Sequence, residues 1–200
     1  MRVHELGELS GEITVFGGPY SNVQALDALL AQARGTVICT GDLVAYCGAP
    51  SAVVAKLRAA SVHVLAGNCE KQLAAGALDC GCGFEDGSTC DLLSAAWYAF
   101  ANEHIDAEAR EWMGQVPDII CFSKNGRRTA LLHGGVSDVA RFIWSVSDDA
   151  VFLEELDALN MLCGDVDMVI AGHSGIAFER EIAGVRWVNA GVIGMPPHDG

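Results

Sequence analysis

Basic side chains are scarce in this sequence. Only 12 of its 200 residues are lysine or arginine, against 26 aspartates and glutamates, which gives a formal net charge of −14 at pH 7. Such a chain lacks the positive field that attracts nucleic acids or anionic membranes, so we expect neither as a general partner. A small phosphorylated substrate or ligand remains compatible with this charge, because one bound metal ion reverses the local field.

Long apolar runs are lacking as well, and we expect no secretory leader. No apolar stretch approaches the ~20 residues that span a bilayer, and the first residues, MRVHELGELSGE, are too polar for a signal peptide. We therefore expect a cytoplasmic location. The sequence shows no linker, repeat or low-complexity tract, and 51% of it is hydrophobic. These features predict a single domain over residues 1–200 with a proper core.

The first half of the chain alternates short apolar strands with helices. The runs ITVF, TVICT and VHVLA are rich in β-branched residues, and the helices between them begin near Asn22 and Pro50. This order is typical of parallel βαβ units. The second half contains two helices, a hairpin around Asn125-Gly126, a helix near residues 149–163 and three further strands. Together the halves predict an α/β fold with two mixed sheets and helices outside them.

Polar residues follow several of these strands at the point where each one ends. They are Asp42 after TVICT, Asn68 after VHVLA, His133 after TALL and His173 after DMVIA, each with a glycine beside it. In open α/β sheets the carboxyl ends of the strands converge on one crevice. One carboxylate, one amide oxygen and two imidazoles form a ligand set suited to Mn²⁺, Fe²⁺ or Zn²⁺. The sequence therefore predicts a transition-metal site at this edge.

The same motifs, in this order, resemble those of the calcineurin-like metallophosphoesterases. The resemblance covers most of the chain and rests on these segments: GDLVAYCGAP, AGNCE, LLHGG, AGHS and NAGVIGMP. It implies a four-layer sandwich, in which two sheets are flanked by helices and a two-metal site lies between the sheets. It also implies hydrolysis of a phosphomonoester or a phosphodiester.

The resemblance assigns the four residues named above to one of the two family metals. The other metal of the family uses an Asp-x-His motif after the first strand and the last histidine of a Gly-His-x-His motif. In this chain those positions hold Gly18, Tyr20 and Gly175. Every ligand exclusive to the second metal is therefore absent, and we expect one divalent transition metal per chain.

This loss leaves three functional hypotheses open. The protein is a phosphoesterase with one retained metal, a non-hydrolytic member that binds a metal or a phosphorylated ligand, or an enzyme with a rebuilt second site and altered chemistry. Tyr20 is a candidate ligand of a rebuilt site, because it stands at a former ligand position. The sequence does not indicate the oligomeric state or the substrate.

The eight cysteines include four within a segment at about residues 69–91 that has no clear period. We interpret this segment as a functional loop. Cys69 follows Asn68, where many family members carry the histidine that acts as general acid, and a thiol of pKa ~8.5 can serve as a proton donor. Cys80, Cys82 and Cys90 are candidate ligands of a soft metal, although a redox cluster and plain structural cysteines remain alternatives. In a reducing compartment we expect no disulfide framework.

Overall fold

The structure, a computed structural model, describes residues 1–85 and 87–196. Its helices are α1 (Val23–Gln32), α2 (Pro50–Ala59), α3 (Asn68–Ala75), α4 (Thr89–His104), α5 (Ala107–Met113) and α6 (Asp149–Cys163). Its strands are β1 (Val3–Glu8), β2 (Ile13–Phe16), β3 (Thr36–Cys39), β4 (His63–Val64), β5 (Ile119–Lys124), β6 (Arg127–Leu132), β7 (Met168–Ala171), β8 (Phe178–Ile182) and β9 (Val185–Asn189).

The strands form two sheets that carry helices on their outer sides. The larger sheet has six strands in the order β1-β5-β6-β7-β9-β8, and it combines parallel pairs with the antiparallel pairs β5/β6 and β8/β9. The smaller sheet has the order β2-β3-β4, and both of its strand pairs are parallel. The sequence predicted a mixed sheet here, so this part of the prediction is wrong. The α/β sandwich predicted from the sequence is confirmed.

Local sequence explains where the main elements begin and turn. The Asn22 side chain caps α1 by accepting a hydrogen bond from the Ala25 amide at 3.0 Å. Pro50 occupies the first turn of α2, where its missing N–H costs nothing. Asn125 and Gly126 both have positive φ (53° and 74°), as a two-residue hairpin turn requires.

The structure differs from the sequence prediction at two places. Strand β1 was not predicted, because five of its six residues are exposed and it therefore shows no apolar alternation. Helix α3 occupies the start of the segment predicted as a loop, and α4 begins at Thr89, so the irregular part among the described residues is confined to 76–85 and 87–88. Helix α3 lacks an apolar period because it buries polar residues, among them Asn68 and Glu70.

The two sheets pack together through a small apolar cluster. Ile38 and Leu65 from the smaller sheet side contact Ile120, Leu131 and Ile170 of the larger sheet side. There are two larger apolar clusters. One lies between the smaller sheet and helices α1–α5, and the other lies between the larger sheet and α6. Among the described residues, no helix is both long and apolar enough to cross a bilayer. The polar residues that follow the strands lie at the carboxyl ends of the strands in both sheets.

Candidate metal centre

The ends of four strands bring four polar side chains to one place. Asp42 follows β3, Asn68 opens α3 after β4, His133 follows β6 and His173 follows β7. The side chains of the aspartate and both histidines are buried, and their ligand atoms all lie within 4.8 Å of one another. Within the described ranges, no other group of three such residues meets this condition. The convergence expected from the strand ends is therefore present in the fold.

A buried carboxylate that the sequence analysis missed joins two of these loops. Glu70 has no exposed surface, and its side chain accepts hydrogen bonds from the backbone amides of Asp42 (2.9 Å), Leu43 (2.8 Å) and Gly67 (2.9 Å). A signal existed in the sequence, because Glu70 stands at the third helical position after the N-cap Gly67, from which a glutamate can accept a hydrogen bond from the N-cap amide. Glu70 thereby fixes the backbone that carries Asp42.

Gly41 is required for this close packing. It has φ +98°, and a Cβ at this position would lie 2.8 Å from both the Gly67 amide nitrogen and Nδ1 of His133. Any larger residue would push apart the loops that hold Asp42 and Asn68. The glycine next to the aspartate is thus a packing requirement of the site.

His133 is held in one orientation by the backbone. Its Nδ1 donates a hydrogen bond to the Thr40 carbonyl oxygen at 2.6 Å, which leaves Nε2 with a free lone pair. Nε2 faces Asn68 Oδ1 at 3.2 Å, Asp42 Oδ1 at 3.3 Å and His173 Nδ1 at 3.1 Å. A hydrogen-bonded second nitrogen of this kind is the usual arrangement for a metal-ligating histidine.

These contacts fit a bound cation. Four potential ligand atoms face one another, namely Asp42 Oδ1, Asn68 Oδ1, His133 Nε2 and His173 Nδ1, and Asp42 Oδ1 is buried without a hydrogen-bond partner. Metal–ligand bonds of about 2.0–2.1 Å place neighbouring ligands roughly 3.0–3.4 Å apart, which matches the three separations from His133 Nε2. Without a cation, a proton must lie between facing lone pairs, as between His133 Nε2 and His173 Nδ1. The residues present therefore suit a divalent metal ion.

The charge states of the site agree with this fit. Burial raises the pKa of Asp42, but the two histidines outweigh it and lower the pKa to about 2. Burial and the neighbouring His133 lower the pKa of His173 to about 4, so it is neutral at pH 7. Burial lowers the pKa of His133, but Asp42 outweighs this effect and the net shift is upward. Without a metal, a proton on His133 Nε2 takes the place of the cation.

Tyr20 lies close to Gly18 and Gly175, two of the positions that the family resemblance assigns to a second metal. A Cβ at Gly18 would lie 2.4 Å from Cε1 of the Tyr20 ring, and a Cβ at Gly175 would lie 3.7 Å from the Tyr20 hydroxyl oxygen. The ring is 6% exposed and contacts Tyr46 edge to face, with centroids 4.9 Å apart. Burial and Asp42 raise the pKa of Tyr20, so the phenol stays protonated.

Cys69 lies beside the site as a neutral thiol. It is 1% exposed, and its Sγ lies 3.6 Å from Nδ2 of Asn68. Burial and the carboxylates of Asp42 and Glu70 raise its pKa well above the ordinary value. This thiol is therefore a weaker acid than a free cysteine, and its role as a general acid stays a prediction.

The other cysteines proposed as ligands do not form one cluster with Tyr20. Cys80 and Cys82 are joined by a disulfide, and in this form neither sulfur offers a thiolate to a metal. Cys90 is exposed in the first turn of α4. The structure thus does not assemble the alternative second site from these four residues. The expectation that the chain contains no disulfide also differs from the structure at Cys80–Cys82.

Asn189, at the end of β9, supports the loop that carries His173. Its Nδ2 donates hydrogen bonds to the Gly172 carbonyl (2.6 Å) and to Ser174 Oγ (3.0 Å), and its Oδ1 accepts from the Gly191 amide at 2.9 Å. The Phe142 ring packs on the His173 ring, with centroids 4.3 Å apart. The His173 side chain is therefore held from two sides.

Comparison with known proteins gives a family and a fold. The family model of the calcineurin-like phosphoesterase superfamily domain matches residues 13–200. The chain is similar in structure to a hypothetical protein from Pyrococcus horikoshii OT3, with a TM-score of 0.72, 16% identity and coverage of 92% of this chain and 78% of that one. It is also similar to a metallophosphoesterase from Sphaerobacter thermophilus, with a TM-score of 0.65, 19% identity and coverage of 94% and 78%. At these identities the likeness shows the fold alone. No curated protein matches the sequence.

Proposed function

Because this chain belongs to the calcineurin-like phosphoesterase superfamily, we propose that it is a metal-dependent phosphoesterase that works with one metal ion. Its substrate is a small phosphomonoester or phosphodiester. The observation that carries the proposal is the group of three atoms around Nε2 of His133, which lie at the separations expected of neighbouring ligands to one ion. The family supports divalent metal use, and Mn²⁺, Fe²⁺ and Zn²⁺ all suit this mixed oxygen and nitrogen set.

Four residues would hold the ion: Asp42, Asn68, His133 and His173. An ion held there would polarise a phosphoryl oxygen and lower the pKa of a bound water. Thr40 keeps His133 in the tautomer that presents Nε2, and Glu70 keeps the Asp42 backbone in place. The protonated Tyr20 hydroxyl lies on the Gly175 side of the site, where it can donate a hydrogen bond to a phosphoryl oxygen.

Cys69 is the candidate proton donor to the leaving group. Its thiol hydrogen-bonds to the Asp42 carboxylate and keeps its proton. If it also protonates the leaving group, Cys69→Ala should lower turnover of alkyl esters, whose leaving groups need a proton, more than turnover of p-nitrophenyl esters. An equal loss on both kinds of ester would assign Cys69 a structural role only.

The proposal is tested by metal content and turnover together. We expect one metal per chain by elemental analysis, and hydrolysis of bis-p-nitrophenyl phosphate or p-nitrophenyl phosphate that depends on added Mn²⁺. His173→Ala should abolish both metal binding and hydrolysis. His104→Ala is the matched control, because His104 is exposed on α4 outside the site. Hydrolysis that survives in His173→Ala would contradict the proposal.

A non-hydrolytic binding function is the second candidate. One observation favours it: the Lys71 and Arg141 side chains, which follow Asn68 and His133 in the chain, are engaged by Asp118 and by Glu154 and Glu155. Neither is free to hold the charge of a phosphate. One metal per chain with no turnover of either ester would favour this candidate over hydrolysis.

A further inference from the structure

The Cys80–Cys82 disulfide lies directly against the proposed metal ligand Asn68. Nδ2 of Asn68 donates to the Cys80 carbonyl oxygen at 2.9 Å and to Cys82 Sγ at 3.3 Å. These two contacts use the amide nitrogen and turn Oδ1 toward His133 Nε2. The cysteine pair therefore decides which way the amide of Asn68 points.

The turn that holds the pair is built against helix α3. The Gly81 amide donates to Asp79 Oδ1 at 2.8 Å, and the Cys82 amide lies 3.2 Å from Cys80 Sγ. Gly81 has φ +61°, and a Cβ there would lie 2.3 Å from Nε2 of Gln72 on α3. Since α3 begins with Asn68, the turn packs against the same helix that carries the proposed ligand.

Small molecules can reach this pair. A cavity of about 330 Å³ opens beside it and is lined by Cys80, Cys82, the two glycines that follow them, Phe84 and Ser94, with Asp79 and Asp91 at its polar side. The disulfide closes a loop with a sequence separation of only 2 residues. Its entropic stabilisation is therefore at the low end of the range, because this contribution grows with loop length. Stability of the whole domain does not explain the bond.

We propose that Cys80–Cys82 is a reversible redox modification site that controls metal affinity through Asn68. In the reduced state the two thiols hold two hydrogens. When the Sγ–Sγ bond forms, a low-molecular-weight disulfide accepts the two electrons and two protons and is cleaved to two thiols. Attack by a small dithiol reverses the step. Short disulfides in reducing compartments are usually redox-sensing or catalytic rather than structural.

Opening the bond changes the surroundings of Asn68. Two thiol sulfurs cannot remain at bonding distance, so one or both must move, and Cys82 Sγ loses its fixed place beside Nδ2. The amide then keeps only its bond to the Cys80 carbonyl on this side and turns more freely, so Oδ1 is directed less firmly at the metal position. Loss of an outer partner of a ligand typically weakens metal binding 10–100-fold. We expect the disulfide form to bind the metal more tightly than the dithiol form by roughly this factor.

The test compares Mn²⁺ affinity in the two redox states of the full chain. Peptide mapping with iodoacetamide assigns the state, because the disulfide form is two hydrogens lighter and is labelled at these cysteines only after reduction. The reductant is removed anaerobically before titration calorimetry. We expect 10–100-fold weaker binding after reduction. Cys80→Ser/Cys82→Ser should show the weaker affinity in both conditions. Equal or tighter affinity in the reduced protein would overturn the proposal.

Two controls separate this site from the rest of the chain. Cys90→Ser should keep the full redox response, since Cys90 is exposed on α4. Cys163→Ala should also keep it, although Cys163 Sγ lies 2.6 Å from Cys121 Sγ, because this second pair lies between β5 and α6. Loss of the response in either control would contradict the assignment to Cys80–Cys82.

The inference rests on the proposed metal centre, but different results would contradict the redox switch and the hydrolase function. Redox-dependent Mn²⁺ affinity without turnover would remove the hydrolase and keep the switch. Turnover with the same affinity in both redox states would remove the switch and keep the hydrolase.

Discussion

The Tyr20 ring occupies the position that a side chain at Gly18 would need, with Cε1 only 2.4 Å from the ideal Cβ of that glycine. The same residue approaches Gly175 with its hydroxyl. Tyr20 therefore excludes a side chain at Gly18, whereas at Gly175 the left-handed backbone, with φ +77°, disfavours one. Adding a ligand at position 18, where the family resemblance expects one, requires removal of this ring as well.

Gly18→Asp alone should destabilise the protein. The new side chain meets a buried ring, and overpacking of this kind costs about 1–3 kcal/mol. Gly18→Asp combined with Tyr20→His should relieve the clash and unfold at a higher temperature than the single variant. Adding Gly175→His, at a residue whose φ of +77° strains any side chain, should cost further stability but raise the metal content from one to two per chain. Gly48→Ala, at a glycine with open space around it, is the control for thermal unfolding. A triple variant that still binds one metal would contradict the assignment of the empty half-site.

Metal affinity should fall as the pH falls through the titration of His133. Its pKa is raised from the ordinary value of 6.5, so below that range a proton on Nε2 competes with the ion. The pKa values of Asp42 (about 2) and His173 (about 4) lie too low to compete near neutral pH. We expect release of nearly one proton per metal at pH 6 and of fewer as the pH rises above the His133 pKa.

Titration calorimetry in two buffers of different ionisation enthalpy measures this proton release. Release of two protons at pH 6 would show that His173 is also protonated, against its lowered pKa. A release that does not change with pH would rule out His133 as the titrating group.

Glu70 should give the metal-free protein an unusual pH dependence of stability. Burial and then Asp42 raise its pKa from 4.5 to about 7. Because the folded state binds this proton more tightly than the unfolded chain, the contribution is fully present below pH 4.5 and is lost as the pH rises through about 7. Urea unfolding with a chelator present should show this loss in wild type. The difference in unfolding free energy between wild type and Glu70→Gln should shrink across the same window; a constant difference would contradict the prediction.

Arg141 should matter through Glu155 and not through Glu154. Its Nη1 lies 2.6 Å from an oxygen of Glu155, which is completely buried, whereas Glu154 is 61% exposed. Arg141→Ala leaves a buried charge without its partner and should cost about 3–5 kcal/mol. Glu154→Ala removes only an exposed ion pair and should cost less than about 1 kcal/mol. Chemical unfolding of the two variants measures both values. Similar small losses would show that Ser137 and the backbone amides suffice for Glu155.

The sequence predicted the parts of the fold that have a period or a turn residue. The helices that begin after Asn22 and at Pro50 and the hairpin at Asn125-Gly126 all carry local signals, and the structure contains them. It also predicted the four polar residues at the strand ends, because parallel strands bring their carboxyl ends together.

What the sequence could not predict depends on contacts between distant segments. Strand β1 is exposed and pairs with β5, more than a hundred residues away. Glu70 is identified as a clamp only when the loop after β3 lies over α3. The pairing of Cys80 with Cys82 occurs at a turn in which Gly81 has positive φ and packs against Gln72 of α3. Composition and spacing carry no information on such contacts.

The ring of Phe142 connects His173 to an indole at the surface. Phe142 packs on His173, and Trp144 lies parallel to Phe142 with an interplanar angle of 2° and a centroid separation of 5.3 Å. Trp144 is 37% exposed. We expect a paramagnetic ion such as Mn²⁺ or Co²⁺ held by His173 to quench this indole. Because the chain has four tryptophans, the part of the emission change that Trp144→Phe removes would report metal occupancy without any added dye.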